Sequence, residues 1–320
     1  MSAAPNLDRA VMALQRGGLV AFPTETVYGL GADATNDDAL AHLYAVKGRP
    51  TDHPVIVHLG VEESIDAWVT VVPEVARALA ARFWPGPLTL VLDAAPAVSR
   101  VATGGLATVG LRVPDHPLAL ELLAAFGGAI AAPSANRFGR VSPTTADAVV
   151  RDLGTDVDVV LDGGGCPVGV ESTIVDLTGS EPRVLRLGGV TLEALADALG
   201  AVPPVGGTTR APGGLASHYA PNARVVLVED VDTLRGESER ATEGAVGVIG
   251  LHAELDVIDL SDAVTTLATP ASVTEYAHVL YRSLREADDL GIEVVLAVVP
   301  PVEGLGAAVG DRLRRAAAGR

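Results

Sequence analysis

The chain has 320 residues, of which 20% are charged and only 3% aromatic, with a formal net charge of −17 at pH 7. That acidity excludes long-range attraction to nucleic-acid backbones or anionic membranes. A single cysteine, Cys166, excludes an internal disulfide framework and a cysteine-built metal site, and with no charged leader feeding a long apolar run the expected setting is soluble and cytoplasmic.

Leu7, Val11 and Leu14 recur at helical spacing and stop at Gly17 and Gly18, which predicts a first helix. "LVAF", residues 19–22, predicts a short strand that delivers the chain into "PTETVYGLG", residues 23–31. There two hydroxyls, a carboxylate, a phenol and two glycines follow one another. Thr24 and Thr26 share a side if the strand continues, and a turn capped by threonines fits the same residues.

Residues 36–46 predict a helix capped by Asn36, with acids in its first turn, ending just before Lys47. Lys47 is the only lysine, against 22 arginines. A compact ammonium suits a phosphate or carboxylate oxygen better than a generic surface position does. Pro50 favours extended backbone at Arg49, so Lys47 and Arg49 are expected on one side, where a bound anion or a surface salt bridge would relieve their repulsion. "PVIVHL", residues 54–59, predicts a buried strand interrupted by His58, whose imidazole is either a satisfied core group or a ligand contact. His53 reads as a loop residue.

Further on, "PEVARALAARF" and "HPLALELLAAF" predict helices, and "LTLVL", "ATVGLRV", "AIAAP", "VVLDG", "STIVDL" and "RVLRL" predict short strands. Thr108 and Arg112 fall on one face of their strand. Residues 131–146, "AAPSANRFGRVSPTTA", form the richest polar loop, and Ser172, Thr173 and Arg186 come from neighbouring strands. Neither a nucleophile elbow nor a catalytic triad is legible. The helices interrupt the strands irregularly, so the expected fold is mixed α/β. Pro and Gly then crowd residues 199–223, and beyond them β-like runs alternate with helices without a dinucleotide fingerprint or P-loop. The expected division is a catalytic domain at 1–207, a linker at 208–223 and a second α/β domain at 224–320.

Taken together, "PTETVYGLG", "KGRPTDHPVIVHL", "LRVP", "PSANRFGRVSPT" and "ESTIVDLTG" resemble the YrdC-like family of threonylcarbamoyl-AMP synthases, and "APGGLASHYAP" resembles the linker of its long, two-domain members. The resemblance implies a YrdC-like mixed twisted sheet followed by a smaller Rossmann-like α/β domain. It implies an enzyme that converts L-threonine, bicarbonate or carbon dioxide, and ATP into L-threonylcarbamoyladenylate and pyrophosphate, for threonylcarbamoyladenosine in tRNA. Threonine contacts would fall on Thr26, His58, Arg112, Ala132 and Ser172. ATP contacts would fall on Lys47, Arg49, His53, Thr108, Ser134, Asn136, Ser142 and Arg186, with Lys47 and Arg49 stabilising phosphate charge during the reaction.

His218 and Tyr219 are the lid candidates, and Mg2+ is expected with ATP and without metal ligands from the chain. Downstream partners would be the tRNA threonylcarbamoyl-transfer machinery, with neither stable nucleic-acid binding nor membrane association. The sequence departs from the family pattern at His53, where many relatives carry asparagine, at Arg137, Phe138 and Gly139, and at Ala211, where a serine is common. Two other readings are a related carbamoyl transfer, as in hydrogenase-maturation proteins, and a non-catalytic RNA or ribosome binder. The lack of cysteine-rich regions opposes the first, and the acidity of both halves opposes the second.

Overall fold

The computed structural model describes residues 4–61, 64–213, 219–240, 245–258 and 260–318. Contacts group the chain into two units, the first being Met1–Phe138, Pro143–Pro167 and Glu171–Gly214, and the second Gly139–Ser142, Val168–Val170 and Leu215–Arg320.

In the first unit the strands are β1 (Val20–Phe22), β2 (Gly29–Asp33), β3 (Ile56–His58), β4 (Leu88–Asp93), β5 (Thr108–Arg112), β6 (Ile130–Ala131), β7 (Val159–Val160), β8 (Thr173–Asp176) and β9 (Arg183–Arg186). The helices are α1 (Ala4–Gln15), α2 (Asp37–Lys47), α3 (Glu74–Phe83), α4 (Pro117–Phe126), α5 (Ala146–Leu153) and α6 (Leu192–Leu199). The strands form one sheet in the order β7-β1-β2-β6-β3-β5-β4-β8-β9. The pairs β1–β7, β3–β5 and β4–β8 are parallel and the others antiparallel, so the sheet is mixed, as the irregular spacing of its helices predicts.

Period-2 alternation divides the strand residues between two faces. One face sends Leu30, Val57, Leu90, Leu111, Val175 and Val184 into the main core, where Leu40 and Leu43 of α2, Leu79 of α3 and Leu195 of α6 meet them. Each such side chain contributes about 1.5–3 kcal/mol by leaving water. On the other face α1 and α4 cover only part of the sheet, packing Ala10, Leu14 and Leu122 against Val20, Phe22 and Ile130. The remainder of that face carries the polar residues described below.

Local chemistry explains the helix that delivers Lys47. Asn36 Oδ1 accepts from the Asp38 and Ala39 N–H groups, both at 3.1 Å, and Asp37 and Asp38 sit in the positive first turn. The helix runs one residue further than the sequence predicts: Lys47 is its last residue and Gly48, at φ 64°, reverses the chain in left-handed conformation. The strand β2 is not legible in the sequence because Gly29 and Gly31 read as turn residues. A Cβ on Gly31 would lie 2.6 Å from Ile130 Cγ2 and 2.8 Å from Phe22 Cε1, so glycine is what allows the Phe22 ring to lie across the strand.

The second unit contains β10 (Arg224–Val228), α7 (Val231–Glu239), β11 (Val246–Ile249), α8 (His252–Leu255), β12 (Val264–Ala268), α9 (Val273–Asp289), β13 (Val294–Val298) and α10 (Gly306–Ala317). Its four strands are all parallel in the order β10-β13-β11-β12, the open α/β arrangement that a Rossmann-like domain implies. Val228, Val248, Leu296 and Leu234 form its core. The buried Tyr276 of α9 donates toward the carbonyls of Val298 at 2.9 Å and Ile249 at 3.3 Å. Among the described residues no helix is long and apolar enough to cross a membrane.

Candidate active site

The strand register assembles a site from residues far apart in sequence. His58 pairs with Arg112 and Ile56 with Gly110 across β3–β5. Gly110 pairs with Val91 and Thr108 with Asp93 across β5–β4. Thr89 then pairs with Ile174 across β4–β8, and Ile174 with Arg186 across β8–β9. Directly paired residues point to the same face. His58, Thr108, Arg112 and Arg186 therefore share the partly uncovered face, around an apolar floor of Ile56, Val91 and Ile174.

Arg112, 4% exposed, ties three segments together. Its Nε donates to Gly86 O at 3.2 Å and its Nη2 to Thr26 Oγ1 at 3.0 Å, while Nη2 also lies 2.7 Å from Glu25 Oε1. Residues 23–27 form a hydroxyl turn: Thr24 Oγ1 donates to Val27 O at 2.7 Å and accepts from the N–H groups of Thr26 and Val27. With the Thr24 proton so committed, the 2.8 Å Thr24–Thr26 contact uses the Thr26 proton, which leaves Thr26 as acceptor toward Arg112.

His58, 3% exposed, packs its ring edge-on to Phe22 at 5.9 Å, and among the described residues its buried Nδ1 has no hydrogen-bond partner. Burial, and then the Arg112 charge, push the imidazole down to about 3, so it is neutral near pH 7. Ser172 Oγ lies 2.8 Å from Thr89 Oγ1 and accepts from Arg186 Nη2 at 3.0 Å. Ala132 is buried beside β3, its N–H donating to Ile56 O. Thr108 is half-buried at the start of β5.

Lys47 and Arg49 are not brought together by strand alternation, because Gly48 turns the chain between them. The Lys47 ammonium is fully buried and donates to the carbonyls of Ser134 and Asn136, the latter at 2.5 Å. Desolvation first, and then the Arg49 charge, lower its pKa well below the usual lysine value. Lys47 thus anchors the polar loop that holds Ser134 and Asn136. Arg49 Nη2 donates to Pro54 O at 2.8 Å and its Nε to His53 O at 3.3 Å. Ser142 is buried in the short segment grouped with the second unit.

Two departures from the family pattern meet in space: the His53 and Phe138 rings are edge-to-face at 5.7 Å, and Arg49 lies 5.8 Å from the Phe138 ring centroid. Ala211 explains itself in a similar way, since it packs on the floor formed by Ile56, Val91 and Ile174, where an apolar methyl suits the surface better than a hydroxyl. Around it, Thr209 donates to Asp176 Oδ2 at 2.6 Å, Arg210 pairs with Asp52 at 2.7 Å, and Pro212 O accepts from Arg186 Nη1 at 3.0 Å. Residues 209–212 therefore form a strap held on the functional face.

Of the lid candidates, His218 lies outside the described residues. Tyr219 is 1% exposed, adopts φ 62°, stacks on Tyr281 at 5.6 Å and lies 5.0 Å from the Arg312 guanidinium. That setting makes it an anchor within the second unit. Sequence reasoning also left Glu25 and Thr89 out of the site. The signal for Glu25 was a lone carboxylate in the buried turn that follows a strand.

A family model described as "Telomere recombination", covering Sua5, YciO and YrdC, matches residues 12–188, and one described as "Threonylcarbamoyl-AMP synthase, C-terminal domain" matches residues 190–318. The threonylcarbamoyl-AMP synthase of Pyrococcus abyssi is 43% identical over 95% of this chain and 91% of its own length. That of Bacillus subtilis is 39% identical over 99% and 94%. The solved structure of P. abyssi Sua5 complexed with L-threonine superposes with a TM-score of 0.90 at 40% identity, covering 100% of this chain and 96% of that one.

Proposed function

The chain belongs to the threonylcarbamoyl-AMP synthase family in its two-domain Sua5 form, and from that premise we infer how its residues divide the work of the reaction. It is an L-threonylcarbamoyladenylate synthase, which joins L-threonine, bicarbonate-derived carbon dioxide and ATP and releases pyrophosphate. The product serves threonylcarbamoyladenosine formation in tRNA, and the chain's expected place is the cytoplasm with the downstream transfer machinery.

The observation that carries the assignment of roles is the register-matched row of His58, Arg112 and Arg186 on one face, with Ser172 hydrogen-bonded to Arg186 and Thr89 beside it. Arg112, with Nε and Nη2 engaged by the protein, offers its Nη1 to the threonine carboxylate. The neutral imidazole of His58 offers a hydrogen bond without adding charge, and Thr26, Ala132 and Ser172 complete the amino-acid end. Arg49, Arg186, Ser134, Asn136, Thr108, His53 and Ser142 are assigned to ATP. Lys47, held between two carbonyls, fixes the loop that carries Ser134 and Asn136 and places positive charge beneath it.

The threonine amine adds to carbon dioxide, losing a proton, to form an N-carboxylate. An oxygen of that carboxylate attacks the α-phosphorus of ATP, a new P–O bond forms, and the bond to the β-phosphate oxygen breaks to release pyrophosphate. The barrier falls through positioning of two anions against each other and through fixed cations at the departing charge. Mg2+ is assigned to the phosphates of the incoming ATP as part of that substrate.

The test is mass-spectrometric detection of the adenylate together with pyrophosphate release. Both are expected only when threonine and bicarbonate are present, and product formed without threonine would reject the proposed acceptor. Serine is expected to be the poorer substrate because it lacks the methyl group that a small apolar wall receives.

A further inference from the structure

Glu25 is a fully enclosed carboxylate between two site threonines, 4% exposed, and it is the acidic group paired with the Arg112 guanidinium. Its two oxygens are divided: Oε1 lies 2.7 Å from Arg112 Nη2, and Oε2 accepts the Asp115 N–H at 3.0 Å. The pairing fixes the arginine geometrically. Nε is held by Gly86 O and Nη2 by Thr26 Oγ1, and Glu25 Oε1 holds Nη2 as a close ion pair, without a hydrogen bond of its own among the described residues. Because a guanidinium is planar, restraining those two nitrogens also sets the direction of Nη1, which makes no hydrogen bond among the described residues.

We propose that Glu25 is a positioning residue for substrate recognition, orienting Arg112 so that its Nη1 meets the carboxylate of threonine. The inference rests on the threonylcarbamoyl-AMP synthase reading and deepens it. A buried arginine without a counter-charge is strongly disfavoured and turns toward whatever acceptor or water it can reach. Glu25 supplies that counter-charge at Nη2 and leaves Nη1 to the ligand. It also holds the chain leaving β5 through Asp115, so the position of the arginine and the path of its own strand end depend on one carboxylate. Glu25 does not touch the reacting atoms, and its removal should therefore appear in threonine recognition far more than in the chemical step.

The test measures pyrophosphate release by the full chain with threonine varied at saturating ATP and bicarbonate. Glu25→Gln keeps the shape and removes the charge. It is expected to raise KM for threonine about tenfold or more while kcat and the KM for ATP stay within about threefold. Glu25→Asp, which keeps the charge on a shorter stem, is expected to fall between Gln and the native residue. A purely structural ion pair would lower the folded fraction and the apparent kcat and leave KM for threonine unchanged. That result, or a lower KM for threonine in Glu25→Gln, would overturn the proposal. If circular dichroism shows that Glu25→Gln does not fold, Glu25→Asp decides by the same criterion: a raised threonine KM supports positioning and an unchanged one overturns it. A native chain with no threonine-dependent pyrophosphate release would overturn the synthase reading and this proposal together, whereas an active native chain with an unaltered variant sinks the positioning alone.

Discussion

The two faces of the large sheet are written by alternate residues of the same strands, yet they differ in almost every physical respect. On β5, Leu111 is fully buried in the main core while its neighbour Arg112 faces the site. One face is stabilised by apolar area, and the part of the other that α1 and α4 leave uncovered holds two arginines, a histidine and several hydroxyls around a floor of Ile56, Val91 and Ile174. The contrast teaches that the core face supplies the rigidity that a row of buried polar groups requires, since those groups stabilise little by themselves and function only if they cannot drift.

The sharpest way to break this division is to cut the two neighbours separately. Leu111→Ala is expected to lower unfolding stability by about 3 kcal/mol with kcat of the folded fraction little changed. Arg112→Ala is expected to lower kcat/KM for threonine in the folded fraction at least 100-fold, roughly 3 kcal/mol, and, because it leaves the buried Glu25 carboxylate unpaired, to lower stability as well by about 3–5 kcal/mol. Denaturant titration beside initial rates separates the two. Equal effects on both readouts for both variants would mean that the faces are not functionally distinct.

Lys47→Arg probes whether a buried cation on the loop side behaves as a site or a core residue. The bulkier fork does not fit a slot built around one nitrogen and two carbonyls, so turnover is expected to fall about 30-fold, roughly 2 kcal/mol, although the charge is kept. Native kinetics in this variant would return the lone lysine to an ordinary structural role.

His58 links the faces through pH. Its folded value of about 3 lies below the ordinary 6.5, so between those values the unfolded chain takes up a proton that the folded chain refuses. Stability from this group is fully present above about pH 6.5 and is lost as pH falls toward 3. Between pH 7 and pH 5 the loss is about 2 kcal/mol. His58→Asn is expected to remove that part of the acid sensitivity, measured as the change in unfolding free energy between the two pH values. An unchanged pH dependence would place the titrating group elsewhere.

The smallest expected effect belongs to the strap. Arg210 and Asp52 are an exposed pair, so Arg210→Ala is expected to cost about 0.5 kcal/mol or less in stability. Activity is expected to drop about threefold, because the strap holds Ala211 on the site floor and limits the entry of water. Adenylate yield against hydrolysis measures it. A fully native yield would make residues 209–212 a passive tether.

Much of this arrangement is legible in the alternation of residues along short strands. Polar residues at His58, Thr108, Arg112 and Arg186 interrupt apolar runs at positions whose shared side follows from period two, and Asn36 with its acids marks the start of the helix that ends in Lys47. The reading failed where glycine carries two meanings. Gly29 and Gly31 look like turn residues and instead form a strand, because the Phe22 ring needs the space that a Cβ would fill. It failed again at Lys47 and Arg49, where Gly48 in left-handed conformation replaced the expected extended chain and sent each cation to different carbonyls.

By itself the sequence determined the family, the mixed α/β class, and which side chains are polar on otherwise apolar strands, because local periodicity and motif order are properties of the chain alone. Tertiary structure alone decided that Glu25 pairs with Arg112 across 87 positions, that His53 packs on Phe138, and that Tyr219 is buried against Arg312 and Tyr281. Those partners are chosen by strand register, loop path and desolvation, and a buried charge takes whichever counter-charge the fold brings within reach, at a distance along the chain that no local pattern records.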